Sequence, residues 1–133
     1  KPSFSIKDNE VEIGMGIHGE KGISVEKMMP IDKLVDIMLD KIQEDFSIVG
    51  NKEVSVLING LGGTPIEEQL IVFRRLSQRL KEMGCTVFMP HIGEFATSME
   101  MSGFSISILK LDEELKRLLA APCKTPFYTN YNK

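Results

Sequence analysis

Apolar and polar residues alternate from Val11 to His18. Val11, Ile13, Met15 and Ile17 fall on one face of an extended chain, and Glu12, Gly14, Gly16 and His18 on the other. The pattern predicts a first full strand over residues 10–18. The turn pair Asp8-Asn9 precedes it, and before that a brief edge strand in which Phe4 and Ile6 alternate with serines. After a glycine-rich turn, residues 23–29 read as a short extended piece ending at Pro30, a residue suited to a helix start. The period then changes. Ile31, Leu34, Val35, Met38 and Ile42 recur at helical spacing and predict a helix to about Phe46, with Lys33, Asp36, Asp40 and Lys41 on its solvated face.

A second strand is expected where Val54, Val56 and Ile58 alternate with Ser55, Leu57 and Asn59. The run Gly60-Leu-Gly-Gly63 follows as a loop, and Thr64-Pro65-Ile66-Glu67 reads as a capping box opening a helix to about Met83. Leu70, Phe73, Leu76 and Leu80 form its expected apolar side, and Gly84 its left-handed end. Residues 85–89 predict another strand, interrupted by Pro90, His91 and Gly93, with His91 in a surface loop. Residues 94–103 carry small polar and methionine side chains without a clear period. Strand 104–110 alternates cleanly, Asp112 caps a last helix through Leu115, Leu118 and Leu119, and the tail 124–133 is expected to be extended or frayed.

Composition narrows the function classes. At 133 residues the chain is one domain's worth, long enough for a core. Its net charge of −3 supplies no basic field for nucleic acid or an anionic membrane surface, and no apolar run approaches the ~20 residues that span a bilayer. A cytoplasmic protein with neither partner is expected. Cys85 and Cys123 lack CxxC spacing or a His/Cys cluster, so reduced thiols are expected, with no zinc site and no disulfide framework. The first residue is Lys1, which suggests a piece of a longer polypeptide.

Candidate chemistry concentrates at Gly14-Met-Gly-Ile-His-Gly-Glu20. On a strand, His18 shares its face with Gly14 and Gly16, and two missing side chains leave a vacant strip the size of a small molecule. The same pattern also suits a strand-end histidine satisfied by a carbonyl, with the glycines serving only a turn. The loop 60–63 before a helix start suits either a phosphate cradle or a plain tight connection, and it matches neither GxGxxG nor GxxxxGK[ST].

Three ordered stretches, Gly14–Glu20, Asn59-Gly-Leu-Gly-Gly-Thr64 and Thr97-Ser-Met-Glu-Met-Ser-Gly-Phe-Ser-Ile106, resemble the substrate-binding subunit of dihydroxyacetone (glycerone) kinases, over its C-terminal part. The resemblance implies an α/β, two-layer domain with a mixed, roughly six-stranded sheet covered by helices. It also implies that His18 is a covalent anchor, bonding through a ring nitrogen to the ketone carbon as a hemiaminal, and the strip read from the strand pattern would then put Gly14 and Gly16 beside the substrate. Requiring a carbonyl excludes glycerol, where a hydrophobic pocket rejects an added hydroxyl by only about a hundredfold.

By the same resemblance this chain binds no cofactor or metal, and ATP/ADP with magnesium, or a phosphotransferase relay, sits on a partner kinase subunit. A homodimer is implied. The general base and a glycine-histidine loop belong to an N-terminal domain, and no Gly-Gly-x-Gly-His occurs here, so the isolated chain is expected to be inactive. The family's turn usually continues Glu-Pro-Gly where this chain has Glu20-Lys21-Gly22. Some relatives of this kind sense the ligand as coactivators without transferring phosphate, which is the alternative reading.

Overall fold

The structure is a computed structural model that describes residues 5–50 and 53–131. The expected edge strand around Phe4 lies partly outside the described residues. Asp8 and Asn9 form the expected turn. Strand β1 (Glu10–Ile13) pairs antiparallel with β2 (Ser24–Lys27), with Val11 opposite Glu26 and Ile13 opposite Ser24. The predicted strand therefore ends five residues early. Gly14 adopts φ +76°, a left-handed conformation that turns the chain out of the strand, so Met15 and Ile17 do not continue the face of Val11 and Ile13.

Helix α1 (Ile31–Asp45) starts directly after Pro30, as predicted. Strand β3 (Glu53–Gly62) is the centre of the domain. It pairs in parallel with β4 (Thr86–Val87) and β5 (His91–Met101) along one edge and antiparallel with β6 (Ser105–Lys110) along the other. The α/β class and the mixed sheet are as expected. Four strands share the main sheet, and β1–β2 forms a separate ribbon, as do β7 (Cys123–Lys124) and β8 (Thr129–Asn130). The tail through residue 131 is thus a hairpin rather than frayed, tied by the Asn130 amide donating to Leu119 and Ala121 carbonyls.

Val54, Val56 and Ile58 point to one face of β3 and are fully buried against Val35 and Leu39 of α1 and Val72, Leu76 and Leu80 of α2 (Ile66–Glu82). Burying each such side chain contributes roughly 1.5–3 kcal/mol. The buried stripe of α2 is rotated from the predicted one. Gln69 and Val72 face inward, and Leu70 is 50% exposed. Gly84, at φ +78°, ends α2 as predicted.

The polar face of α1 is not simply solvated. Asp32, Asp36 and Asp40, each one helical turn apart, meet Arg74, Arg75 and Arg79 of α2, and Asp36 takes Arg75 through both carboxylate oxygens at 2.9 and 2.7 Å. Helix α3 (Glu113–Leu119) begins where Asp112 accepts from the Leu115 N–H at 2.7 Å, the predicted cap. It lies on the other face of the sheet, where Leu118, Leu119, Pro122 and Tyr128 border an open apolar groove against Leu57 and Leu109.

Candidate functional site

Residues Gly14–Gly22 form a compact loop at the tip of the β1–β2 ribbon, closed by the Ile23 N–H donating to Ile13 O at 2.8 Å. Inside it, the Gly16 N–H donates to Glu20 O and the Gly19 N–H to Gly16 O, both at 2.9 Å, so Ile17 and His18 occupy a tight turn with Gly19 at φ +85°. Two carboxylates hold this turn from within. Glu12 accepts the Gly22 N–H at 2.7 Å, and Glu20 accepts the His18 N–H at 3.2 Å. The turn is therefore shaped by ordinary hydrogen bonds as well as by glycine.

His18 projects from this turn with its side chain 85% exposed, its Nδ1 3.7 Å from Glu20 Oε1. The reading of a histidine satisfied by a carbonyl does not hold, since its ring faces solvent and a carboxylate. The strip beside Gly16 is occupied. A Cβ built on Gly16 would stand 2.7 Å from Glu20 Cδ and 2.9 Å from Glu20 Cβ, so the missing side chain makes room for Glu20 rather than leaving an empty slot. A Cβ on Gly14 would meet Ile23 Cγ1 at 3.0 Å. The expected vacancy came from extending the strand alternation past the point where Gly14 breaks it.

Met15 and Ile17, on either side of Gly16, reach down to the open end of the main sheet. There they line a cavity of about 270 Å³ with Leu61, Phe95, Phe104 and Asn59. Asn59 is 3% exposed and bonded through both amide atoms: its Oδ1 accepts from the Phe95 and Ala96 N–H groups at 2.7 and 2.9 Å, and its Nδ2 donates to Ala96 O at 2.7 Å. The run Gly60–Gly63, expected as a loop, instead continues β3 through Gly62, where Leu61 and Gly62 pair with Thr97 and Met101 of β5, and its end is likewise held by the chain itself. Glu94 accepts the Gly62 N–H at 2.8 Å and, through its other oxygen, the Gln69 amide at 2.9 Å, filling the position that a phosphate cradle would offer to an anion.

Gly63 packs so closely that a Cβ would stand 2.7 Å from Met101 O. Thr64 does not cap α2. Pro65 occupies the cap position without a side-chain bond, and the Thr64 hydroxyl donates instead to Gly103 O at 2.6 Å. Three motif stretches named above therefore have distinct roles: one presents His18, and the other two, around residues 59–64 and 97–106, lock together.

The remaining candidates separate from the site. His91 starts β5 instead of sitting in a loop, with Nε2 2.7 Å from the Tyr128 hydroxyl on the far sheet face. Cys85 is buried, and burial pushes its thiol up, away from the reactive thiolate. Cys123 is a free, exposed thiol. Among the described residues, no cluster of three His, Cys, Asp or Glu groups could hold a metal ion, and no helix is long and apolar enough to cross a membrane. Glu20 and Glu94 are the residues that sequence reasoning missed. The spacing Gly16-x-His18-x-Glu20 carried a signal for the first, and nothing local carried one for the second.

Comparison with known proteins gives this geometry its context. Residues 1–127 match the Dak1 domain. The chain is 47% identical over 128 residues to the dihydroxyacetone-binding subunit DhaK of a PTS-dependent dihydroxyacetone kinase 2 from Listeria innocua, covering 96% of this chain and 39% of that protein. It is 39% identical over 127 residues to a D-erythrulose kinase of Mycolicibacterium smegmatis, covering 96% of this chain and 22% of that protein. It thus spans well under half the length of either relative. In structure it is similar to a dihydroxyacetone kinase operon co-activator, with a TM-score of 0.82 and 29% identity, over 92% of this chain and 38% of that one. With the domain match running over almost the whole sequence and carrying the His18 turn inside it, the chain belongs to the Dak1 domain family.

Proposed function

We propose that the chain is the part of a dihydroxyacetone kinase that holds the ketone, with His18 as covalent anchor and Gly14 and Gly16 shaping the turn that presents it. The observation that carries this reading is an exposed imidazole on a turn pinned by two carboxylates, in a sequence 47% identical to a dihydroxyacetone-binding subunit. A neutral imidazole is a nucleophile. One ring nitrogen attacks the carbonyl carbon, the C=O π pair moves to oxygen, the other ring nitrogen loses its proton, and the oxygen gains one. The product is a neutral hemiaminal, and the bond fixes the terminal hydroxyls for in-line attack on a phosphoryl group, the positional term that dominates such transfers.

The phosphoryl donor, whether ATP with magnesium or a phosphotransferase relay, belongs in this reading to a partner subunit. The engagement of the Gly62 N–H by Glu94 supports that placement, because this glycine loop does not fit a nucleotide phosphate. A cytoplasmic homodimer completes the proposed assembly. The ligand-sensing coactivator is the second reading, supported by the similarity to the operon co-activator, and Lys21 in the turn is compatible with it.

Dihydroxyacetone labelled with ¹³C at the carbonyl, added to the intact protein labelled with ¹⁵N-histidine, tests the anchor. A one-bond carbon–nitrogen coupling to His18, lost in His18→Gln, is expected, and ketone that binds without that coupling overturns it. Phosphoryl transfer in the presence of the partner subunit then separates kinase from sensor.

A further inference from the structure

Resting on the anchor reading, we propose that Glu20 is a positioning residue that selects which ring nitrogen of His18 attacks the ketone. Its carboxylate does two things at once. Oε2 accepts the backbone N–H of His18 at 3.2 Å, which fixes the carboxylate to the turn, and Oε1 lies 3.7 Å from Nδ1 on the same residue's ring. That second separation is longer than a hydrogen bond, and closing it takes a small rotation of one exposed side chain. Contacts at catalytic histidines are commonly long before substrate binds and tighten afterwards.

A carboxylate beside Nδ1 favours the tautomer with the proton on Nδ1, because only that form can donate to it. The lone pair then resides on Nε2, at the far edge of the ring. As Nε2 bonds to the carbonyl carbon, the ring passes through an imidazolium whose charge Glu20 stabilises. The Nδ1 proton leaves to the carboxylate and from there to solvent, while the alkoxide takes a proton from water, so that atoms and charge balance.

Gly16 belongs to this device. The space its side chain would fill contains the Glu20 carboxyl, so only glycine allows Glu20 to fold back under the turn from two residues beyond the histidine. The sequence Gly16-Ile-His-Gly-Glu20 is then one unit: clearance, anchor and orienting carboxylate.

The test uses ¹⁵N-histidine spectra of the intact protein, with the His18 signals assigned by their loss in His18→Gln. The native protein is expected to hold His18 mainly protonated on Nδ1. Glu20→Gln retains an oxygen for the backbone N–H but loses the charge, and it should shift the ring toward the Nε2-protonated form. It should also slow adduct formation with dihydroxyacetone by about tenfold, the size of one lost charge-assisted hydrogen bond. Gly16→Ala should do the same by evicting Glu20, with the β1–β2 amide signals reporting that the ribbon is intact. Identical tautomer populations in the native protein and both variants overturn the proposal. If the native protein forms no adduct at all, the anchor reading falls and this proposal with it, whereas an adduct that forms with unchanged tautomer populations overturns the role of Glu20 alone.

Discussion

The Thr64 hydroxyl donates to the carbonyl of Gly103 at 2.6 Å, joining the turn that follows β3 to the segment that leads into its neighbour β6. Thr64 is buried, so its loss leaves an acceptor without a partner. Thr64→Val should lower stability by about 1–2 kcal/mol in denaturant unfolding, and Thr64→Ser should recover most of it. Amide exchange locates the effect. It should rise at Ser105 and its neighbours in β6, and a rise confined to the first turn of α2 would mean that Thr64 acts as a helix cap after all.

Asn59 welds β5 to β3 where the strand register shifts. Parallel pairing runs from Leu57–His91 to Asn59–Gly93 and resumes at Leu61–Thr97, and the intervening backbone groups of Phe95 and Ala96 bond to the Asn59 side chain. Asn59→Ala removes these bonds inside the protein, and a loss of about 2–4 kcal/mol is expected. Asn59→Asp keeps the acceptor but sets a charged oxygen against the Ala96 carbonyl in a buried site, so it should cost at least as much as alanine. Equal stability of all three would show that water replaces the amide there.

These contacts also explain which parts of the fold were legible. The helices and the strands of β3 and β6 follow from local periodicity, because Val35, Val56, Leu76 and Ile108 bury a face set by their own element. Strand β5 was not readable, since residues 94–101 owe their extended form to Asn59 and to pairing with β3 rather than to any alternation of their own. The phase of α2 was misread for a similar reason. Gln69 is 1% exposed because its amide bonds to Thr64 O and Glu94, partners 5 and 25 residues away. At the candidate site, His18 and its glycines stood out, but the strand pattern of Met15 and Ile17 hid the turn at Gly14. What Gly16 makes room for could be seen only once the turn folded Glu20 beneath it.

Gly22 provides a separate check on the turn. A Cβ there would stand 2.5 Å from Ile13 O and 2.8 Å from Glu12 Cγ, both of which help close the loop. Gly22→Ala should therefore break the Glu12 hold on the Gly22 N–H and loosen the His18 turn, while the main sheet, which the ribbon does not join, keeps its stability. Hydrogen exchange should accelerate at Ile23 and Gly22 and stay unchanged in β3. Uniform acceleration across the domain would show that ribbon and sheet unfold as one.

Asp36 links the two helices electrostatically, and its pH dependence can be worked out. The hydrogen bond from Arg75, followed by that from Arg79, holds its carboxyl below the ordinary value of 3.8 against the opposing effect of burial. A carboxyl depressed on folding contributes stability that is fully present above its unfolded value and is lost as pH falls through its folded value. The Asp36 side chain is 27% exposed, so its pairs are only partly screened by solvent. Asp36→Asn should cost on the order of 1 kcal/mol at pH 7. The difference between native and variant should then shrink below about pH 4 and vanish once the native carboxyl is protonated. Urea unfolding of both proteins from pH 7 down to pH 2 gives the two curves. A difference that persists unchanged at the acid end would mean that Asp36 stabilises the helix pair by packing and not by charge.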